Sequence, residues 1–369
     1  MPVPASQDST AGIRRRALAG GAQLALALLL ALAGCGPSPL PAPAVLAATW
    51  TPTPISTASL TATPSPTRTA TVSPVPAATA TPDPYAGLTI ADLAGREYGQ
   101  GKLVVDETSR PVAAFERQVF HYPSDDLTVY GFMDIPVGPG PYPVVLVLHG
   151  YVSPQGYQTL TYTTRYADEL AKAGFLVLHP NYRDYPPSDI GPNPFRIGFA
   201  IDALNLIALV RRTGGESGSL EKADPAAIGL FGHSMGGGIA LRVITVDPAV
   251  QAAVLYGAMS GDERLNFEKI VEWSGGRAGW EELNASAADL ARISPIDHLD
   301  RIEAAVSIHH GEDDQTVPPE WSADLCQRLT DLGKSVECSS YPGMPHTFYG
   351  DSERELLDSS VEFFNRNLR

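Results

Sequence analysis

The chain is short of cysteine and of positive charge. Only three cysteines occur in 369 residues, and no two have the spacing of a metal-binding pair. A zinc-ribbon or disulfide-dense scaffold is therefore excluded, and the residues imply neither a metal nor an organic cofactor. Lys and Arg number 26 against 41 Asp and Glu, a net charge of −15. That argues against a nucleic-acid partner and says little about fold. The apolar run near the N-terminus, Leu24 to Ala33, is about half the ~20 residues that a bilayer-spanning helix needs.

What that run does have is a leader's grammar. Arg14, Arg15 and Arg16 precede it, and it ends in small residues at "LAGC". The ending resembles the lipobox of bacterial lipoproteins, which implies that residues 1–34 are removed and that Cys35 is lipidated. An ordinary signal peptide or an uncut anchor is the alternative. Residues 35–84 are mostly Pro, Thr, Ser and Ala, with Arg68 and Asp83 as the only charges. Such a stretch buries too little surface to fold, and its prolines keep it extended. It reads as a tether between a membrane and a globular head outside the cytoplasm.

Residues 85–111 form a short extension, and from residue 112 strands and helices alternate. "AFERQVFHY" and "LTVYGFMDIP" read as two strands joined at "PSDD". "YPVVLVLHG" is a continuous apolar run, as expected of a strand buried on both faces. "FLVLHPNYR", "AIGLFGHS", "AAVLYGA", "AAVSIHHG" and "SVECSSYPG" follow, separated by helical patterns. Two antiparallel strands and six alternating units predict a mostly parallel, eight-stranded sheet with helices on both faces, the layout of an α/β-hydrolase. Catalytic residues in such a sheet should fall just after strands.

Four candidates meet that condition. In "LFGHSMGGGI", Ser234 lies between Gly232 and Gly236 at the junction of a strand and a helix. This is the pattern of a nucleophile elbow, where side chains at the glycines would collide in the tight turn. A serine needs a base, and in this fold the base comes last in sequence. His346, in "YPGMPHTF" after the final strand, fits. The acid should follow the preceding strand, where "HHGEDDQTVP" offers Glu312, Asp313 and Asp314. The register Gly311-x-x-Asp314-x-x-Val317-Pro318 resembles the acid loop of this superfamily and selects Asp314, with Asp313 next. The oxyanion donors are the backbone N–H groups of Met235, after the serine, and Tyr151, after "HG". His149 reads as a structural residue that braces its loop.

"VVLVLHGY", "HPNYR", "GHSMGGGIAL", "HHGEDDQTVP" and "YPGMPHTF" together resemble the catalytic domain of the prolyl-oligopeptidase (S9) family and its dienelactone-hydrolase-like relatives, over roughly residues 115–369. "GHSMGGG" also looks like bacterial cutinases and related polyester esterases. Asp184 stands where S9 peptidases usually have glycine, a partial departure. Residues 85–111 are too few for a β-propeller, so the exopeptidase specificity that S9 enzymes take from that domain is not implied. No large cap is present either. Residues 260–303 hold two or three helices, a partial lid with Trp273 and Trp280. Cys326 and Cys338 are expected to pair, two buried thiols being the alternative. Asp202 reads as a buried hydrogen-bonder. Arg183 and Asp184 either brace the loop beneath the site or face substrate.

These readings converge on a lipid-anchored serine hydrolase that acts on a small ester or short peptide through an acyl-enzyme, esterase activity favoured. An S9-like peptidase is the rival within enzymes. A hydrolase fold retained as a binding module is the rival outside them.

Overall fold

The computed structural model describes residues 83–369. The leader, Cys35 and the tether up to residue 82 lie outside the described residues. In chain order the elements are α1 (Ile90–Ala94), β1 (Val104–Val112), β2 (Phe115–Ser124), β3 (Leu127–Pro136), β4 (Tyr142–Leu148), α2 (Thr164–Lys172), β5 (Leu176–Pro180) and α3 (Ile197–Thr213). Then come β6 (Ala223–His233), α4 (Met235–Val246), β7 (Ala252–Tyr256), α5 (Glu263–Trp273), α6 (Trp280–Leu283) and α7 (Ala287–Ile293). The last are β8 (Ala305–Gly311), α8 (Pro319–Asp331), β9 (Val336–Tyr341) and α9 (Gly350–Leu368).

The sheet has nine strands in the order β1-β2-β3-β5-β4-β6-β7-β8-β9. The pairs β1/β2, β2/β3 and β3/β5 are antiparallel. The pairs from β5/β4 through β8/β9 are parallel. The chain leaves β4 for β5 on one side and returns to β6 on the other. That reversal opens a crevice at the C-terminal ends of β4 and β6, where ligands collect in open sheets.

Nine strands correct the expected eight. The added one is β1, whose sequence "VVDETSRPV" carries charge and a proline and is exposed along nearly its whole length. An edge strand of that kind has no buried face to mark it by alternation, and charge and proline protect its open edge. A domain start at residue 112 therefore cuts through β1. The extension also contributes α1, whose Ile90 and Leu93 are fully buried in the main core.

Strand β4 shows how the core is built. Val144, Leu146 and Leu148 point to one face, against α3 and α4, while Val145 and Val147 point to the other, against α2 and α9. All five are fully buried, as the two-residue period of a strand covered on both sides requires. On the outer rim Cys326 of α8 and Cys338 of β9 form a disulfide. It ties a helix to an edge strand of which only Tyr341 is buried.

Besides His310, four buried histidines sit in or beside this core: His149, His179, His233 and His309. Burial disfavours their charged form. It lowers His309 to about 4 and His233 to about 3, the latter helped by the neighbouring His346. Burial also lowers His149 and, with His149 nearby, pushes His179 well down.

Two stability predictions follow from the fold. Replacing Cys326 and Cys338 together by serine should lower the unfolding free energy by about 3 kcal/mol, since the bridge closes a short loop. Urea unfolding with and without reductant measures it, and equal midpoints would exclude a stabilising disulfide. His309 and His233 have folded pKa values of about 4 and about 3, below their unfolded ones, so between about 6.5 and 4 the unfolded chain binds protons at these two that the folded chain does not. Stability should therefore be level above neutrality and fall on acidification below about pH 6.5, by roughly 1.4 kcal/mol per pH unit for each such histidine. A melting temperature unchanged between about pH 7 and 5 would mean that these side chains are charged in the fold.

Candidate active site

The end of β6 and the start of α4 are joined by a single residue, Ser234, with φ 59° and ψ −119°. A non-glycine residue avoids that backbone region unless its surroundings impose it. Here they do. The Ser234 N–H donates to the Tyr256 carbonyl at 2.9 Å, and its own carbonyl accepts from Gly237, Met259 and Gly238 at 3.0, 3.1 and 3.2 Å. The turn is tight enough that a Cβ on Gly232 would lie 2.3 Å from the Gly236 oxygen. One on Gly236 would lie 2.0 Å from the Leu148 oxygen. Both contacts are with backbone, so nothing can swing aside, and both positions require glycine.

The two partners arrive on neighbouring loops. His346 lies between β9 and α9, and Asp314 follows β8. The His346 Nε2 is 2.8 Å from the Ser234 Oγ, and its Nδ1 is 2.6 Å from the Asp314 Oδ2. Asp314, not Asp313, faces the histidine. Its carboxylate is closed off from solvent on every side. Burial alone would raise its pKa. Hydrogen bonds from His310 and His346 and from the Val317 N–H outweigh this and hold the carboxyl well below the usual range. Its Oδ1 accepts from the backbone N–H of Thr316 and Val317 at 2.8 and 2.9 Å. The group is thus fixed in its ionised form, with one lone pair committed to His346.

Sequence reasoning passed over His310. Its Nε2 lies 3.0 Å from the Asp314 Oδ2 and 3.1 Å from the Val317 carbonyl. A carbonyl only accepts, so the Nε2 carries the proton and donates to both, while Nδ1 accepts from the Ser322 hydroxyl at 2.6 Å. The doubled histidine of "HHG" was the available signal. Nothing in one sequence said which of the pair turns toward the acid; His309 turns away, to Ser307 and Tyr341.

The two predicted backbone donors flank the serine. Met235 opens α4, so its N–H is among the first four with no partner inside the helix. Tyr151 follows Gly150, whose missing Cβ would stand 2.9 Å from the Ser234 Cβ. The Tyr151 N–H has no acceptor among the described residues, and its side chain is exposed, so it bears on the site through its backbone. His149 is fully buried, with Nδ1 2.7 Å from the Gly150 carbonyl and Nε2 2.9 Å from the Asn181 carbonyl. It braces the loop. Arg183 and Asp202 form a buried pair at 2.8 Å below the site, with the Ser124 hydroxyl donating to Asp202 at 2.6 Å. That closes the choice left open for Arg183 in favour of bracing. Asp184 accepts from the Gly191 N–H at 3.1 Å within the same loop. Residues 260–303 fold as α5, α6 and α7, with Trp273 and Trp280 partly exposed.

Comparison with known proteins places this geometry. Residues 129–363 match the dienelactone hydrolase family. The chain is 28% identical over 238 residues to Esterase YjfP of Escherichia coli, spanning 62% of this chain and 90% of that one. It is 26% identical over 243 residues to YtmA of Bacillus subtilis, named as an uncharacterized peptidase, over 64% and 88% of the two chains. Among solved structures, acetyl xylan esterase 1 from Thermoanaerobacterium superposes with a TM-score of 0.55 at 17% identity, over 76% and 91%. The acylaminoacyl peptidase of Pyrococcus horikoshii gives 0.56 at 21% identity, over 70% of this chain and 42% of that one. At such identities the structures speak for the fold alone. The family match runs from β3 into α9 and takes in Ser234, Asp314 and His346: the chain is an α/β-hydrolase and belongs to the dienelactone hydrolase family.

Proposed function

We propose that this hydrolase is a serine esterase working through an acyl-enzyme. The observation that carries the reading is one imidazole spanning two partners, 2.8 Å from the Ser234 Oγ and 2.6 Å from the Asp314 Oδ2. His346 takes the hydroxyl proton as Ser234 attacks the acyl carbon, and returns it to the leaving oxygen as the tetrahedral adduct collapses. Water then repeats the sequence on the acyl-serine, and Ser234 is released. Asp314 holds the imidazole in the tautomer that presents a bare Nε2 to the serine, and stabilises the imidazolium while it exists. The N–H groups of Met235 and Tyr151 receive the negative oxygen; each such donor is typically worth about 3 kcal/mol in the transition state.

The preference for esters rests on what surrounds the serine. Among the described residues the insertion between β7 and β8 is limited to α5 to α7 and a 3-10 turn at Pro295–Arg301, which favours small substrates. An ester also expels its alkoxide more readily than an amide expels its nitrogen, which needs protonation and precise placement first. The peptidase named among the relatives keeps amide cleavage as the competing reading.

The membrane-bound location is proposed on sequence alone. Cys35, at the end of the apolar leader, is the lipidated first residue of the mature protein, and residues 36–84 let the head stand off the bilayer.

Turnover of short-chain p-nitrophenyl esters is expected, with kcat reduced roughly 10^3-fold or more in Ser234→Ala and in His346→Ala. A panel of acyl esters and peptide amides decides the class: higher kcat/KM on any peptide amide than on every ester makes the protein a peptidase. Metabolic labelling with a palmitate analogue should mark the full chain and spare Cys35→Ala. Equal labelling of both would remove the anchor.

A further inference from the structure

Two groups next to Ser234 have no part in the relay. The ring of His233, fully buried, lies beside the ring of His346 with centroids 4.9 Å apart. The hydroxyl of Tyr162, on the loop that leads into α2, is 2.8 Å from the His233 Nδ1. The same hydroxyl lies 3.0 Å from the point that a Cβ on Gly150 would occupy, and the Ser234 Cβ lies 2.9 Å from that point. The phenol oxygen and the Ser234 Cβ thus crowd the same point beside Gly150, with the His233 carbonyl 3.2 Å from it.

The direction of each hydrogen bond can be worked out. The His233 Nε2 is 3.1 Å from the backbone carbonyl of His346. That carbonyl only accepts, so the Nε2 carries a proton. His233 is buried and stays neutral, with a pKa lowered to about 3, so it has one proton and its Nδ1 is bare. The Tyr162 O–H must then donate to Nδ1. Burial also pushes the Tyr162 phenol up to about 12, which keeps that proton in place. Turning the O–H toward Ser234 instead would leave a buried nitrogen without a partner, an unfavourable exchange. The proton is committed, and what the oxygen has left to offer is its lone pairs. Among the described residues no group donates to them.

We propose that Tyr162 is a specificity residue: its hydroxyl oxygen, held as an acceptor by His233, takes a hydrogen bond from an N–H or O–H group of the substrate beside the scissile carbonyl. The substrate class is then acyl compounds bearing such a donor, on either the acyl or the leaving side, in preference to plain alkyl esters. The inference rests on the serine esterase reading above. It excludes Tyr162 as a third oxyanion donor, because the required proton points the other way.

The test uses the full chain and two matched probe pairs. One pair is the p-nitrophenyl ester of N-acetylglycine against p-nitrophenyl butyrate. The other is 2-hydroxyethyl butyrate against ethyl butyrate. The quantity read is the ratio of kcat/KM within each pair, wild type against Tyr162→Phe, which cancels any general loss of activity. Removing the acceptor should lower the ratio roughly tenfold in at least one pair, the worth of one hydrogen bond. If neither ratio moves by more than about twofold, the proposal is overturned, whether or not both members of a pair fall together. A shared fall with fixed ratios would make Tyr162 a packing residue or an oxyanion donor. Fluorophosphonate labelling of Ser234 in the same samples keeps the two readings apart. A wild-type protein that neither labels nor turns over any ester removes the esterase reading. A labelled wild type with unmoved ratios removes only the role of Tyr162. Should the phenylalanine variant fail to label, Tyr162→His, which restores an acceptor nitrogen, is compared in its place and should retain the donor preference.

Discussion

The site depends on one backbone contact. Helix α4 begins so close to the end of β4 that a single carbon on Gly236 would overlap the Leu148 carbonyl. That proximity leaves Ser234 no room for an ordinary conformation and forces it to φ 59°. It also directs the first N–H groups of α4 toward the space above the serine and brings the loop after β4 alongside. The candidate nucleophile, one proposed oxyanion donor and the wall that carries the other are therefore consequences of the same close packing. The strain is held by four hydrogen bonds to the Ser234 backbone and by β4 and β6, buried from Val144 and from Ala227 to their ends, which cannot move apart without opening the core on both faces.

Much of this was legible in the sequence, for physical reasons that differ by element. Strands covered on both faces are written as unbroken apolar runs, so β4 stood out. The site residues were legible because the fold places them after strands and in a fixed order, so that Ser234, Asp314 and His346 each satisfied two constraints at once. Choosing Asp314 over Asp313 required the register of its loop, and the structure gives the reason in the two backbone N–H groups that only Asp314 reaches. What stayed hidden has a common cause. Strand β1 has no buried face, so the period that identifies strands was never imposed on it. His233 and Tyr162 bond to partners 113 and 71 residues away. Pairings of that kind are fixed by the fold and leave no local pattern.

In the proposed mechanism His346 is the side chain that gains a positive charge. Asp314 is held ionised by donors on both oxygens, so it does not compete for the proton that His346 takes up in the proposed mechanism. His233, with its ring next to that of His346, poses the opposite problem. A second positive charge at that distance in a poorly solvated site would oppose formation of the imidazolium by several kcal/mol. Complete burial removes the conflict by lowering the His233 pKa to about 3 and so keeping its ring neutral. The same neutrality fixes which nitrogen of His233 donates, and so anchors the backbone of His346 from behind. Burial costs stability at low pH, and in return it supplies a rigid, uncharged support for the residue that moves the proton in the proposed mechanism.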